Sequence, residues 1–402
     1  MRTRPFLFTA LALLTIAVAL FVTRPWSPWS PWKMNRLFSP AVRVENFRHM
    51  DRIFPSRPLH KSTQPFVFDE HPGKLPGHYV FDGKIRQTED FMQKTTTTGL
   101  LVLENGVIVH EEYRLGAASS STLTSWSMAK SVVATLTGIA IKEGKINSLD
   151  DQAEKYIPEL KGKAYGKATV RDLLRMASGV KFNETYADKT SDINLLFYKV
   201  FLLGIPIDEA VKNLPAEDKP GTRFHYKSVD SQVLAWVLRR ATGTSVVDYA
   251  QKKLWQPLGM QDDAFWNLDR PGGNELAYCC LNATLRDYAK LGQLYLQQGQ
   301  WQGRQLLPED WIKESTQRPE PWLAAGHGYA ERGYGYHWWV PKSPDQEFFA
   351  NGVWGQTIFV DQKRHIVIVK TSVDPDFKTH TAEMIAFMRG IAAGASAGSA
   401  AH

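Results

Sequence analysis

The chain has 402 residues, 43% of them apolar and 22% charged, the composition of a folded globular protein. Its formal net charge of +7 sits almost wholly at the start, because residues 1–50 hold seven Lys and Arg against one Glu. The remainder is close to neutral, which excludes an extended basic face and, with it, a nucleic-acid partner.

Arg2 and Arg4 precede an uncharged run over residues 6–22. That run just reaches the length of a bilayer span. Residues 1–23 are therefore expected to anchor the chain in the inner membrane by a single pass, with the bulk outside the cytoplasm. The alternative is a cleaved signal, with Ala17-Val18-Ala19 as the processing site and a secreted or periplasmic product. Residues 24–42 repeat Ser-Pro-Trp and suit a stiff, extended linker. Residues 43–390 are the expected folded domain, and residues 391–402, rich in Ala, Gly and Ser, the expected disordered tail.

Within the domain, residues 43–95 are mixed and Pro-rich and are expected to wrap the fold. Residues 99–113, GLLVLENGVIVHEEY, are two apolar runs around Asn105-Gly106, the strongest short hairpin signal. A second hairpin is predicted over residues 355–372, turning near Gln362-Lys363. Between them the signals are helical. Residues 127–145 place Val132, Val133, Leu136, Ile139 and Ala140 on one face, with Gly144 as a stop. Residues 169–179 open on a Thr169/Asp172 capping box, and residues 228–243 and 285–299 both end at glycine. Strands near both ends with helices between predict an α+β fold, an antiparallel sheet closed by the two ends of the chain around an inserted helical lobe.

The only cysteines, Cys279 and Cys280, are neighbours. A trans peptide holds their Cα atoms at about 3.8 Å, below the usual disulfide range, so both are expected to be small buried hydrophobes. His110-Glu111-Glu112 lacks the second His of a zinc helix, and neither metal nor cofactor is expected.

Ser-x-x-Lys occurs at Ser30/Lys33, Ser127/Lys130 and Ser178/Lys181, where chance alone supplies about one or two. Ser30/Lys33 falls in the expected linker, and Ser178/Lys181 straddles the helix stop at Gly179. Ser127 and Lys130 alone stand at a helix start, where positions i and i+3 share a face. There a lysine buried by the apolar run behind it loses its proton readily and serves as the base that a serine nucleophile needs. Free N–H groups of the first turn add a place for an oxyanion. Gly394-Ala395-Ser396-Ala397-Gly398 matches a nucleophile elbow literally but lacks the strand and helix that motif requires.

SMAKS (127–131), DLLRMASGV (172–180), FHYKSVD (224–230), PLGM (257–260), LRDYAKLGQLYLQQG (285–299) and ANGVWGQTIFVD (350–361) stand in an order that resembles the serine β-lactamase-like hydrolases. That group comprises class C β-lactamases, D-Ala-D-Ala carboxypeptidases, related esterases and the 6-aminohexanoate-dimer (nylon-oligomer) hydrolases. The resemblance covers residues 43–390 and implies a β-lactamase/transpeptidase-like fold. It implies Ser127 as nucleophile, Lys130 as its helix partner and Tyr226 as the phenol that relays the proton. The N–H groups of Ser127 and Val353 are the implied oxyanion donors, and Gly352, Trp354 and Tyr186 the implied substrate contacts. Two departures qualify it. Ser228 replaces the asparagine of the Tyr-x-Asn motif, which puts amide recognition there in doubt. Ala350 stands where relatives place a Lys or His that pairs with a substrate carboxylate, and Lys370-Thr371 in the next strand does not replace it.

The preferred expectation is a membrane-anchored serine hydrolase acting on a small ester or amide through an acyl-enzyme. A β-lactamase or D,D-peptidase is the alternative within enzymes. A catalytically silent cell-wall-binding protein on the same fold is the alternative outside them.

Overall fold

The computed structural model describes residues 4–24, 26–317, 320–342 and 346–399. Asn105 and Gly106 have φ of 50° and 80°, as a two-residue hairpin turn requires. They join β1 (Thr97–Glu104) to β2 (Val107–Tyr113). The other strands of this sheet come from the far end of the chain: β3 (Arg332–Tyr334), β4 (Trp339–Pro341), β5 (Glu347–Gly352), β6 (Gln356–Asp361) and β7 (Ile366–Ser372). The order is β3-β4-β5-β6-β7-β1-β2, antiparallel throughout. β7 pairs with β1, so the two ends of the chain close one sheet as the hairpin signals predict.

Helices α1 (Arg4–Thr23) and α2 (Pro31–Leu37) precede the sheet in the chain. Helices α3 (Ala129–Lys142), α4 (Ser228–Thr242) and α5 (Leu285–Leu296) belong to the inserted region, and α6 (Thr381–Ser399) follows the last strand. The two-residue period of the strands feeds two cores. Leu101, Leu103, Val367 and Val369 join the core shared with α3, α4 and α5, whereas Leu100, Val102, Ile366 and Ile368 pack with Phe387 and Met388 of α6. The Thr169/Asp172 capping box forms with both of its hydrogen bonds.

A smaller four-stranded sheet places the site. Its strands run in the order 56–59, 264–267, 281–283 and 123–124. Residues 123–124 lead straight into Ser125–Ser127, and residues 278–280 lead into its neighbour, so one sheet fixes both segments.

Several expectations are corrected. Helix α3 is buried from Ala129 to Ala140 on every side rather than along one face. Trp311 packs so closely on it that a Cβ on Gly138 would lie 2.6 Å from the indole. Residues 24–42 are not an extended linker: α2 forms there, Met34 is buried, and Trp29 stacks on Phe54 at 5.0 Å. These side chains gain more by packing on the domain than by standing in water. Residues 391–399 continue α6 instead of forming a tail, because alanine favours helix and Ile391 and Ala392 are buried in the second core; residues 400–402 lie outside the described residues. Cys279 and Cys280 are bonded to each other across a trans peptide. Cys280 adopts φ of 72° in this bonded pair.

The expected membrane span over residues 6–22 is not supported. Among the described residues no helix is long and apolar enough to cross a membrane. Residues 6–22 do fall within α1, but the side chains of residues 6, 7 and 22 lie outside the described residues.

Candidate active site

Ser127 lies on a single 3-10 turn, Trp126–Met128, that runs directly into α3. The small sheet delivers it there, with the Ser125 N–H donating to the Leu281 carbonyl at 2.7 Å. Trp126 has φ of 43°, a left-handed conformation uncommon outside glycine, and it bends the chain sharply ahead of Ser127. Lys130, in the first turn of α3, is 1% exposed. Its Nζ donates to Ser127 Oγ at 2.9 Å, to Ser228 Oγ at 3.2 Å and to the Tyr278 carbonyl at 2.7 Å. Burial pushes the amine down to about 7, against an upward pull from the Glu184 carboxylate. Near neutral pH a large share of it carries no extra proton.

Tyr226 approaches from the loop before α4. The Lys130 Nζ lies 5.2 Å from its ring centroid, and Trp339 stacks on it at 5.4 Å. Burial raises the phenol, and its contact with the Ser127 hydroxyl opposes that rise. Ser228 begins α4 and is fully buried. Its hydroxyl donates to Glu184 Oε1 at 2.5 Å and its backbone N–H to Glu184 Oε2 at 3.0 Å. The Tyr186 hydroxyl donates to Glu184 Oε1 at 2.7 Å. Glu184 thus links Tyr186, Ser228 and, through Ser228, Lys130.

Across from the 3-10 turn runs the end of β5. A Cβ on Gly352 would lie 2.4 Å from the Ser125 carbonyl oxygen and 3.1 Å from the Ser127 nitrogen, so only glycine lets strand and turn approach this closely. Beyond Val353, Trp354 has φ of 66°. The two left-handed tryptophans, Trp126 and Trp354, are held together by aromatic rings of the N-terminal segment. Phe47 meets them edge-on at 5.2 and 5.6 Å, and Phe38 packs on them at 6.0 and 6.4 Å.

Ser127, Tyr186, Val353 and Trp354 open into a cavity of about 560 Å³. Asp376 and Lys378 are the charged residues on its lining among the described residues. Lys378 is exposed, with its Nζ 5.2 Å from the Tyr186 ring centroid. Ala350 is buried in the main core. Lys370 faces a separate small cavity with Asn351, Asp374 and His380, donates to Ser372 Oγ, and is pushed down to about 7 by burial. Arg332 lies outside the main cavity, between the rings of Tyr329 at 4.4 Å and Trp339 at 4.5 Å.

The structure therefore brings Ser127, Lys130, Tyr226, Tyr186, Gly352, Val353 and Trp354 into one place. Ser178 instead donates to Asp230 at 2.7 Å, and Lys181 is exposed. Glu184, the Tyr278 carbonyl, Lys378 and the phenylalanines 38 and 47 are additions that sequence reasoning missed. Glu184 stood in the same FNETY stretch as Tyr186, two residues away, and a carboxylate beside an expected substrate contact was the available signal.

A mixed fold that presents a buried lysine to a helix-start serine defines a class of hydrolase, and comparison with known proteins agrees. The chain belongs to the Beta-lactamase family, whose profile matches residues 84–389, and is a serine hydrolase of that family. It is similar to the 6-aminohexanoate-dimer hydrolase of Paenarthrobacter ureafaciens, 28% identical over 303 residues that cover 73% of this chain and 76% of the relative. It is also similar to the solved "Putative 6-aminohexanoate-dimer hydrolase from Bacillus anthracis", with a TM-score of 0.80, 25% identity, and 88% and 95% of the two chains covered. The octameric penicillin-binding protein homologue from Pyrococcus abyssi shares the fold, with a TM-score of 0.56 at 19% identity over 75% of this chain and 74% of that one.

Proposed function

We propose that this chain hydrolyses an ester or amide through an acyl-enzyme on Ser127. The observation that carries the reading is the 2.9 Å contact between Ser127 Oγ and the amine of a buried Lys130 that titrates near 7. Neutral Lys130 takes the Ser127 proton as Oγ attacks the substrate carbonyl carbon. The carbonyl electron pair moves onto oxygen, where the N–H groups of Ser127 and Val353 hold it. Tyr226 gives its proton to the departing alcohol or amine as the carbon–heteroatom bond breaks, and Lys130 reprotonates it. Water then attacks the acyl group, the acid leaves, and the proton returns to Ser127. Tyr186, Gly352 and Trp354 line the approach. A bond between Cys279 and Cys280 persists in an oxidising compartment, which supports a periplasmic or secreted location.

One observation favours a second reading. Lys378 offers a cation that Ala350 does not, so a substrate carboxylate, as in β-lactams and D-Ala peptides, would find a partner there. Its exposure leaves that charge screened by solvent, which makes it a weaker clamp than a buried one. A silent wall-binding role leaves the hydrogen-bonded Ser127, Lys130 and Ser228 without a purpose. The test is mass spectrometry after a fluorophosphonate probe. Label on Ser127, absent in Ser127→Ala, is expected; label on Ser178 or Ser396 instead overturns the assignment.

A further inference from the structure

The cavity beside Ser127 is closed on one side by the N-terminal segment that the sequence presents as a linker. Met34 and Phe38 of that segment, with Met50 and Phe54 after it, face Ile193 and Phe197 of the helical lobe. Trp29 joins the two walls from behind, stacking on Phe54 at 5.0 Å and packing on Phe201 at 5.1 Å.

Of the polar side chains on these walls, Asn194 and Asn267 are already engaged, and Asn35 and Tyr198 also line the cavity. The Asn194 amide donates to the Tyr186 and Asp188 carbonyls at 3.1 and 2.8 Å, and the Asn267 amide donates to the Met50 carbonyl at 3.1 Å. The charges stand apart from the apolar walls, on the 375–379 loop. A ligand reaching from Ser127 toward Met34 and Ile193 thus meets mainly carbon and sulfur surface, and methionine adapts its shape to flexible apolar groups.

From this placement we infer that the acyl group delivered to Ser127 is an unbranched apolar chain of medium length, and that the N-terminal segment is the wall that sets its length. The inference rests on the acyl-enzyme reading above. The volume fits it: a methylene occupies about the 30 Å³ share of a water molecule, so a chain of about ten carbons fills roughly half of the space. The remainder admits the leaving group.

The test uses the full chain and a series of p-nitrophenyl esters from acetate to laurate, each below its micelle concentration, with Ser127→Ala as the blank. Burial of each added methylene is expected to raise kcat/KM roughly fourfold until about eight to twelve carbons. In Met34→Trp and Ile193→Trp, which put bulk on opposite walls, the decanoate-to-acetate ratio of kcat/KM is expected to fall at least about tenfold. A series that is flat or falls from acetate, while acetate hydrolysis still depends on Ser127, overturns the acyl-chain inference and leaves the nucleophile intact. Hydrolysis that Ser127→Ala does not reduce overturns the acyl-enzyme reading itself. An unchanged ratio in both variants, each still turning over acetate, overturns the role of these walls. If both variants lose acetate turnover, Met34→Phe and Ile193→Phe, which add less bulk, carry the same test: a fallen ratio supports the walls and an unchanged one overturns their role.

Discussion

A base that titrates near neutrality should write itself into the pH profile. Burial takes the Lys130 amine from its ordinary 10.5 to about 7. At pH 7 a lysine in water is unprotonated in roughly 3 molecules in 10⁴, whereas one titrating at 7 is about half unprotonated, an increase on the order of 10³ in usable base. For an ester substrate, kcat/KM should therefore rise through an ascending limb near pH 7 and level off above it. At pH 6 the rate should be about a tenth of the plateau. His337 cannot produce this limb, since burial and the nearby Lys130 push it down to about 3. Lys370 titrates in the same range, so Lys370→Met, which leaves Ser127 and Lys130 in place, separates the two. Glu184 pulls Lys130 upward, so Glu184→Gln should move the limb to lower pH. The assay is a stopped-flow or plate-reader profile from pH 5 to 10 on all three proteins. A limb near 10, a limb that vanishes in Lys370→Met, or one that moves upward in Glu184→Gln would refute the reasoning.

Lys130→Ala should cost on the order of 10³ in kcat, and adding Tyr226→Phe should cost far less than the product of the two single losses, because the proposed mechanism puts both on one proton path. A multiplicative double mutant would assign them separate tasks. Gly352→Ala should lower kcat about 10²-fold, since its Cβ would sit 2.4 Å from the Ser125 carbonyl and push β5 away from the 3-10 turn; an unchanged kcat would remove Val353 from the oxyanion site. Nitrocefin should be a poorer substrate than p-nitrophenyl butyrate, because no buried cation lines the cavity among the described residues. A preference for nitrocefin that Lys378→Met abolishes would establish the carboxylate clamp instead.

The parts of this molecule that the sequence announced are those where local physics and tertiary packing agree. Asn105-Gly106 can only turn tightly, and Thr169-x-x-Asp172 caps wherever a helix follows, so both were readable in isolation. Ser127 and Lys130 were readable because one helix turn brings them together without help from the rest of the chain. The failures share an opposite cause. Trp29 looks like a solvent-facing linker residue until Phe54 and, from the lobe, Phe201 are there to pack against, and Phe38 until Trp126 and Trp354 are. Helix α3 reads as amphipathic because its polar positions, Ser131, Thr135 and Thr137, bond to carbonyl oxygens inside the core rather than to water. Cys280 takes φ positive and bonds to Cys279, a backbone conformation that no pattern of apolar residues encodes.

The placement of Glu184 explains how a lysine can be buried beside a carboxylate and still titrate near neutrality, as the proposed base must. A direct ion pair would favour the protonated amine and return it toward 10.5. Ser228 prevents that contact: its hydroxyl accepts from Lys130 at 3.2 Å and donates to Glu184 at 2.5 Å, so one oxygen stands between the charges. The amine's other partners, Ser127 Oγ and the Tyr278 carbonyl, are neutral acceptors that satisfy its hydrogens without neutralising a charge. Desolvation therefore outweighs attraction, and the amine stays near the value a general base needs at neutral pH. A serine suffices for this because the position needs a short, neutral group that both accepts and donates. The same reasoning ties the small sheet to the chemistry, since its adjacent strands 281–283 and 123–124 follow the Tyr278 carbonyl and lead into the Ser125–Ser127 turn, and so fix two of the three distances on which the state of Lys130 depends.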